Sequence, residues 1–263
     1  MNKEQSEKFN DILNTAKLAF SDDYLCPKVE KKVEKVNNFS KFNFKEVLLN
    51  NLDKKEIRNS QTDQKEYKPV KNNIKENLSD YSSLDYFELE KLVLNCSKCD
   101  AALIRKSIIY GEGNKNVKLM VIGEGPGKDE DYNNKIFVGK SGQYLRKWLS
   151  SINLNIENDV YLSNIVKCFS NSNPTNEMVN ACLPYLERQI ELINPKVILI
   201  LGKIAANNLL KLNLPMKNLR GNIYSYKRVP CVVTYHPAAV LRNPEWRRPV
   251  WEDLKKASKL INI

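Results

Sequence analysis

The chain has 263 residues, with 42 Lys+Arg against 31 Asp+Glu, six Cys, nine Gly and one His. That length suits one domain with a sizeable extension, or two small domains, and 42% hydrophobic content permits a true core. No apolar run approaches the ~18 residues of a spanning helix, so no membrane association is expected. The polar start, Met1 to Gln5, leads into no apolar segment, so a cytoplasmic setting is expected. There the cysteines are thiols or metal ligands rather than disulfides. Histidine-rich metal sites are excluded, and any histidine chemistry falls to His236.

The charge is unevenly placed. Residues 1–85 carry 16 Lys+Arg and 15 Asp+Glu, a net of +1; the remaining 178 carry 26 and 16, a net of +10. All nine glycines lie between Gly111 and Gly221, and all three tryptophans follow residue 85. Either the second part has a solvated, lysine-rich surface, or it presents a phosphate-binding face.

Residues 1–85 read as an extension, partly helical and otherwise poorly ordered. Phe9, Ile12, Leu13, Ala16 and Phe20 fall on one face of a helix over 4–20. From Lys28 to Asp80 the charges mix and periodicity fades, as in a disordered linker. Helical periodicity returns over Leu84–Leu94.

Strands and helices then alternate. Val117–Ile122, Val160–Val166, Val197–Leu201 and Cys231–Tyr235 read as strands. Helices are expected over 141–152 with Ser141 as cap, over Asn176–Ile193 with an Asn or Thr cap, over 203–212 and over Trp251–Leu260. The pattern predicts an α/β domain over 86–263: three αβα layers around a mainly parallel, four-stranded sheet. Ligands in such sheets sit at the carboxyl ends of the strands, here Gly123-Glu124, Asn164, Gly202 and His236-Pro237.

Gly123-Glu124-Gly125-Pro126-Gly127 follows a strand as a dinucleotide fingerprint would. Pro126 interrupts it, Lys128 replaces the last glycine, and no helix is expected to open directly. Gly139-Lys140-Ser141 fails as a P-loop, because Asn134 stands where the first glycine belongs. What remains is a loop where backbone can approach a flat ligand. Cys96-Ser-Lys-Cys99 with Cys168 and Cys182 forms a candidate four-thiolate site for zinc or an iron–sulfur cluster. The other reading makes Cys168 and Cys182 small core residues. Cys26 and Cys231 stand apart, Cys231 as core. His236, past a strand end, is either a functional group or a satisfied loop residue.

From Leu84 to the end, these motifs together resemble the family 4, iron–sulfur, uracil-DNA glycosylases. The resemblance rests on Cys96/Cys99, Tyr110-Gly-Glu-Gly-Asn114, Gly123-Glu-Gly-Pro-Gly127 with Glu130-Asp131, and Phe137-Val-Gly139. It continues through Asn164-Ile-Val-Lys-Cys168, Cys182, His236-Pro-Ala238, Leu241-Arg-Asn-Pro244 and Arg248-Pro249. The loop between Cys168 and Cys182 is slightly shorter than the family's, and residues 1–85 have no counterpart.

The resemblance implies a monomeric enzyme that flips uracil from DNA, hydrolyses its N-glycosidic bond and leaves an abasic site. Phe137 would stack on the base, and Asn164 would read its Watson–Crick edge. His236 would hydrogen-bond O2, and Glu124 would orient water, with Gly125 and Pro126 lining the pocket. Glu130 would exclude the thymine methyl. Leu241 would wedge into the duplex, and Lys140, Arg242, Arg247 and Arg248 would meet phosphates. Cys96, Cys99, Cys168 and Cys182 would hold a [4Fe–4S] cluster. Recruitment of a protein partner is the role left to the extension. The rivals are a catalytically silent module of the same fold, and a four-cysteine zinc protein that binds nucleic acid.

Overall fold

The computed structural model describes residues 81–262. The expected helix over 4–20, the expected linker and Cys26 lie outside them. The described chain begins with a 3-10 turn, Tyr81–Ser83, and then α1, Tyr86–Leu94. Asp85 caps α1: its carboxylate accepts from the Phe87 and Glu88 amides at 2.8 and 2.9 Å, and Glu88 returns a bond from the Asp85 amide at 2.8 Å. Arg188 grips the Leu84 carbonyl with two nitrogens, at 2.7 and 3.1 Å. Residues 81–85, read from sequence as extension, therefore pack with the domain.

There follow α2, Ala101–Ile104; β1, Glu112–Gly113; β2, Leu119–Gly123; α3, Lys128–Asn133; α4, Lys140–Ser151; α5, Ile156–Asp159; and β3, Val160–Asn164. Next come α6, Asn176–Ile193; β4, Val197–Leu201; α7, Lys203–Leu210; α8, Met216–Leu219; β5, Ile223–Tyr226; and β6, Val229–Thr234. The chain closes with α9, Pro237–Arg242, a 3-10 turn at Pro244–Trp246, and α10, Arg247–Ile261.

The sheet has six strands, in the order β1-β3-β2-β4-β6-β5. The four central ones are the expected strands and run parallel. The four-strand expectation is corrected at the edges, where β1 and β5 pair antiparallel. β1 has only two residues, and β5 is only half-buried, so neither shows the long apolar run that marks a central strand.

Alternation along the buried strands separates two cores. Leu119 and Val121 of β2 face Leu145, Trp148 and Leu149 of α4 and Val250 and Leu254 of α10. Met120 and Ile122 face Leu186 and Ile190 of α6 and Ala205 and Leu209 of α7. Three layers result. A smaller third core joins α1, α2, Tyr110, Cys168 and Tyr185 beside α6.

Two helix starts differ from expectation. α4 is capped by Gly139, with Ser141 inside its first turn. α10 opens at Arg247, a full turn before Trp251. Thr175 caps α6 through its hydroxyl, as expected.

Candidate active site

The carboxyl ends of β2, β3, β4 and β6 meet at one edge of the sheet. Gly123 pairs with Asn164 across β2 and β3. The Gly202 amide donates to the Thr234 carbonyl at 2.8 Å, linking the ends of β4 and β6. A Cβ on Gly202 would lie 3.2 Å from the His236 Cβ, so His236 stands directly against β4's end. An open cleft of about 330 Å³ lies there, lined by Glu124, Gly125, Pro126, Gly127, His236 and Arg242. Its other wall is the loop after Cys168, namely Phe169, Ser170, Ser172, Asn173 and Pro174. Sequence reasoning missed this wall. In sequence the segment Phe169-Ser-Asn-Ser-Asn-Pro174 matches no motif and reads as a spacer between two cysteines.

Phe137 and Asn164 do not line this open cleft; they lie buried around Gly123, the residue before Glu124, and are 6% and 2% exposed. They converge over Gly123: a Cβ there would collide with Asn164 Oδ1 and lie 2.9 Å from Phe137 Cζ. Only glycine leaves room for both side chains. Phe137 itself has φ of 50°, in the left-handed region that costs an aromatic residue strain. Gly142 of α4 permits this, because any Cβ there would run into the Phe137 carbonyl. Asn164 Oδ1 is buried and has no hydrogen-bond partner within the protein. Such an orphan is costly unless something outside the chain donates to it.

His236 caps α9. Its Nδ1 accepts from the Ala238 amide at 3.2 Å, so the proton of the neutral ring resides on Nε2. Burial, and secondarily the charge of Arg242, hold this imidazole down at about 4. At neutral pH it is an uncharged donor. The preceding Tyr235 stacks on Trp246, centroids 4.3 Å apart, and lies 4.9 Å from the Arg220 guanidinium. Both ends of the His236 turn are thus held. Burial raises the Glu124 carboxyl from its ordinary value.

A helix does open directly after Gly127, contrary to expectation. Its Glu130 does not line the open cleft. Its carboxylate instead accepts from the Gly127 amide at 3.1 Å and the Gly139 amide at 3.0 Å. It staples the glycine loop to the loop that carries Phe137. Asp131 likewise accepts from the Lys106 and Ser107 amides at 3.0 and 2.9 Å.

Of the five residues expected to meet DNA, only Arg242 lines the cleft. Leu241, beside it at the end of α9, is 44% exposed. Lys140 is exposed at the start of α4. Arg248 is exposed at the start of α10 and lies 3.7 Å from Glu252, while Arg247 is half-buried.

Cys96, Cys99 and Cys168 are free thiols of the third core, and Cys182, also free, lies on α6 in the neighbouring core between that helix and the sheet. Burial pushes the Cys168 thiol up to about 11, and nearby Cys182 and Cys99 add to this. Cys182 is raised by burial and also feels both Cys99 and Cys96. Donors face the sulfurs: Arg105 Nη1 to Cys168 at 3.5 Å, and the Tyr185 hydroxyl to Cys96 at 3.7 Å. Among the described residues no three His, Cys, Asp or Glu side chains close into a ready metal cage. The chemistry of the set, four soft sulfurs with cationic and hydroxyl donors at their rim, fits a soft-metal group. Cys231, fully buried in β6, stands apart as core.

The fold is thus that of an α/β protein that gathers a glycine loop, a buried amide with an unsatisfied acceptor and a neutral histidine donor at the carboxyl ends of its strands. The uracil DNA glycosylase superfamily matches residues 110–255, and the chain belongs to it. It is 38% identical over 188 residues to the type-4 uracil-DNA glycosylase of Archaeoglobus fulgidus, covering 68% of this chain and 93% of that protein. It is 39% identical over 181 residues to the type-4 enzyme of Saccharolobus solfataricus, covering 65% and 83% respectively. The type-4 enzyme of Thermotoga maritima is 38% identical over 177 residues, covering 64% and 91%. Among the described residues no helix is long and apolar enough to cross a membrane.

Proposed function

We propose that this chain excises uracil from DNA, hydrolysing the N-glycosidic bond to release the free base and leave an abasic site for repair. The observation that carries this is the buried, unpartnered Oδ1 of Asn164, set against Phe137. Uracil supplies what that atom lacks, an N3–H donor, while its O4 accepts from the Asn164 amide nitrogen. Cytosine presents an acceptor at N3 and a donor at C4, so both contacts fail and buried polar groups stay unpaired.

The base leaves the stack at a cost of a few kcal/mol. Stacking on Phe137 offsets about 1–3 kcal/mol of that. Leu241 fills the vacated space, and Arg242, Lys140, Arg247 and Arg248 meet the phosphates. As the bond lengthens, positive charge grows on the sugar and negative charge on the uracil ring. The Nε2–H of His236 donates to O2 as this charge develops, and needs no proton transfer. The Glu124 carboxylate orients the attacking water and faces the cationic sugar, with Gly125 and Pro126 as backbone wall. Glu130 acts by fixing both pocket loops, and the shape they hold excludes a 5-methyl group.

Cys96, Cys99, Cys168 and Cys182 would hold a [4Fe–4S] cluster, which when bound supplies a structural tie between α1, α6 and the loop after β3. The test is incubation with an oligonucleotide containing one uracil, followed by alkaline cleavage. Strand scission at uracil is expected, with none at cytosine or thymine; intact strands with metal-loaded protein refute the proposal.

A further inference from the structure

Asn164 can read a base only if its backbone is held still, and the strand pairing does not do this alone. β1 covers β3 only at Tyr161 and Leu162. Ser163 and Asn164 extend beyond that register, so among the described residues the outer edge of β3 has no strand partner at the residue that carries the reading amide. Lys167 occupies this gap. Its side chain is 1% exposed, and it turns back to place Nζ 3.0 Å from the Asn164 carbonyl, 2.6 Å from Ser163 Oγ and 2.6 Å from Gln189 Oε1.

We infer that Lys167 is a positioning residue for uracil recognition, fixing Asn164 by clamping its carbonyl to helix α6. This rests on the glycosylase reading and deepens it. Two of the three acceptors are carbonyl oxygens, and the third is a hydroxyl able to donate or accept. The amine therefore satisfies the same three contacts whether it carries three protons or two. Gln189 is a rigid anchor: it is fully buried, and its Nε2 donates to the Tyr110 carbonyl at 3.0 Å. The Lys167 backbone is held too, its carbonyl accepting from the Ile109 amide at 2.8 Å. The clamp thus joins β3, α6 and the segment leading into β1. A buried amine spent on a backbone carbonyl is costly to desolvate, and hydrophobic filling would suit a purely structural site better.

The test is a double-mutant cycle between Lys167→Met and Asn164→Ala in the full-length, cluster-loaded protein. It is read as single-turnover excision from a uracil oligonucleotide, with visible absorbance and thermal melting followed alongside. In the parent background, Lys167→Met is expected to lower excision about tenfold, within the range seen for coupled neighbours. In the Asn164→Ala background it should change excision by less than about twofold, because the group it positions is gone. A merely structural role would multiply through in both backgrounds. Equal factors in both backgrounds, or parent-like excision by Lys167→Met, overturn the assignment. If Lys167→Met does not fold, Gln189→Leu, which unties Nζ from α6, takes its place in the same cycle under the same criteria. The parent is assayed first: an inactive parent overturns the glycosylase reading itself, whereas an active parent with multiplying effects overturns only the role of Lys167.

Discussion

Replacing His236 by Asn separates its two jobs. Nδ1 accepts from the Ala238 amide at 3.2 Å and caps α9. An Asn side chain keeps an acceptor at this position and is among the best residues for capping, so the change in stability should stay below about 1 kcal/mol. For a domain of this size that is a melting shift of roughly 2–4 °C. The donor at Nε2 is lost, since the shorter amide does not reach the place where the base oxygen develops charge. Removing one preorganised donor of this kind costs about 2.7–4 kcal/mol of barrier, or ~10²–10³ in rate. The assay is single-turnover excision at saturating protein on a uracil oligonucleotide, with affinity for an abasic duplex measured in parallel. Affinity should be nearly unchanged. A rate within about threefold of the parent, worth only ~0.6 kcal/mol, would refute the assignment of His236 as the electrophilic donor.

The pH dependence follows from two opposed shifts. Glu124 works ionised and its carboxyl is raised by burial, so the acid-side fall in activity should come at a higher pH than an unshifted glutamate would give. His236, held at about 4, is already neutral there and adds no limb near the ordinary imidazole value; Glu124→Gln should remove the acid limb along with most of the activity. Gly123→Ala should cut excision at least ~10²-fold, since its methyl meets both Asn164 Oδ1 and Phe137, and parent-like kinetics would show that the two do not converge there. Cys168→Ala should lose iron and soluble yield while Cys231→Ala keeps its iron, as measured by metal analysis of the purified proteins. Deletion of residues 1–80 should spare excision from short oligonucleotides. Deletion to residue 85 should also lower the melting temperature, because it removes the α1 cap, worth about 1 kcal/mol, and the Leu84 carbonyl gripped by Arg188.

Much of this protein is legible in one dimension. Four short, largely apolar runs separated by amphipathic segments imply a parallel sheet covered on both faces, because strands buried on both sides lose the polar alternation of half-exposed ones. The glycine loop, Asn164 and His236 stand at the ends of those runs, where such sheets place their sites. Elements shorter than their own periodicity escape that reading. β1 has two residues and needs Tyr161 and Leu162 beside it to be a strand at all. α3 has six, with a glycine cap that resembles a loop until Glu130 closes it.

Tertiary structure alone decided which polar residues touch the site and which support it. Glu130 and Lys167 are ordinary charged residues in sequence, yet each is buried and reaches backbone of the pocket, Glu130 with both carboxylate oxygens and Lys167 with one of its three contacts. The wall formed by residues 169–174 has no chemical signature and is recognised only by its position. Periodicity reports which face of an element is buried, whereas the partner of a buried polar atom is set by contacts between segments far apart in the chain. Lys167 and Gln189 meet only because β3 and α6 pack together, and the unsatisfied acceptor of Asn164 is visible only once every neighbour is in place.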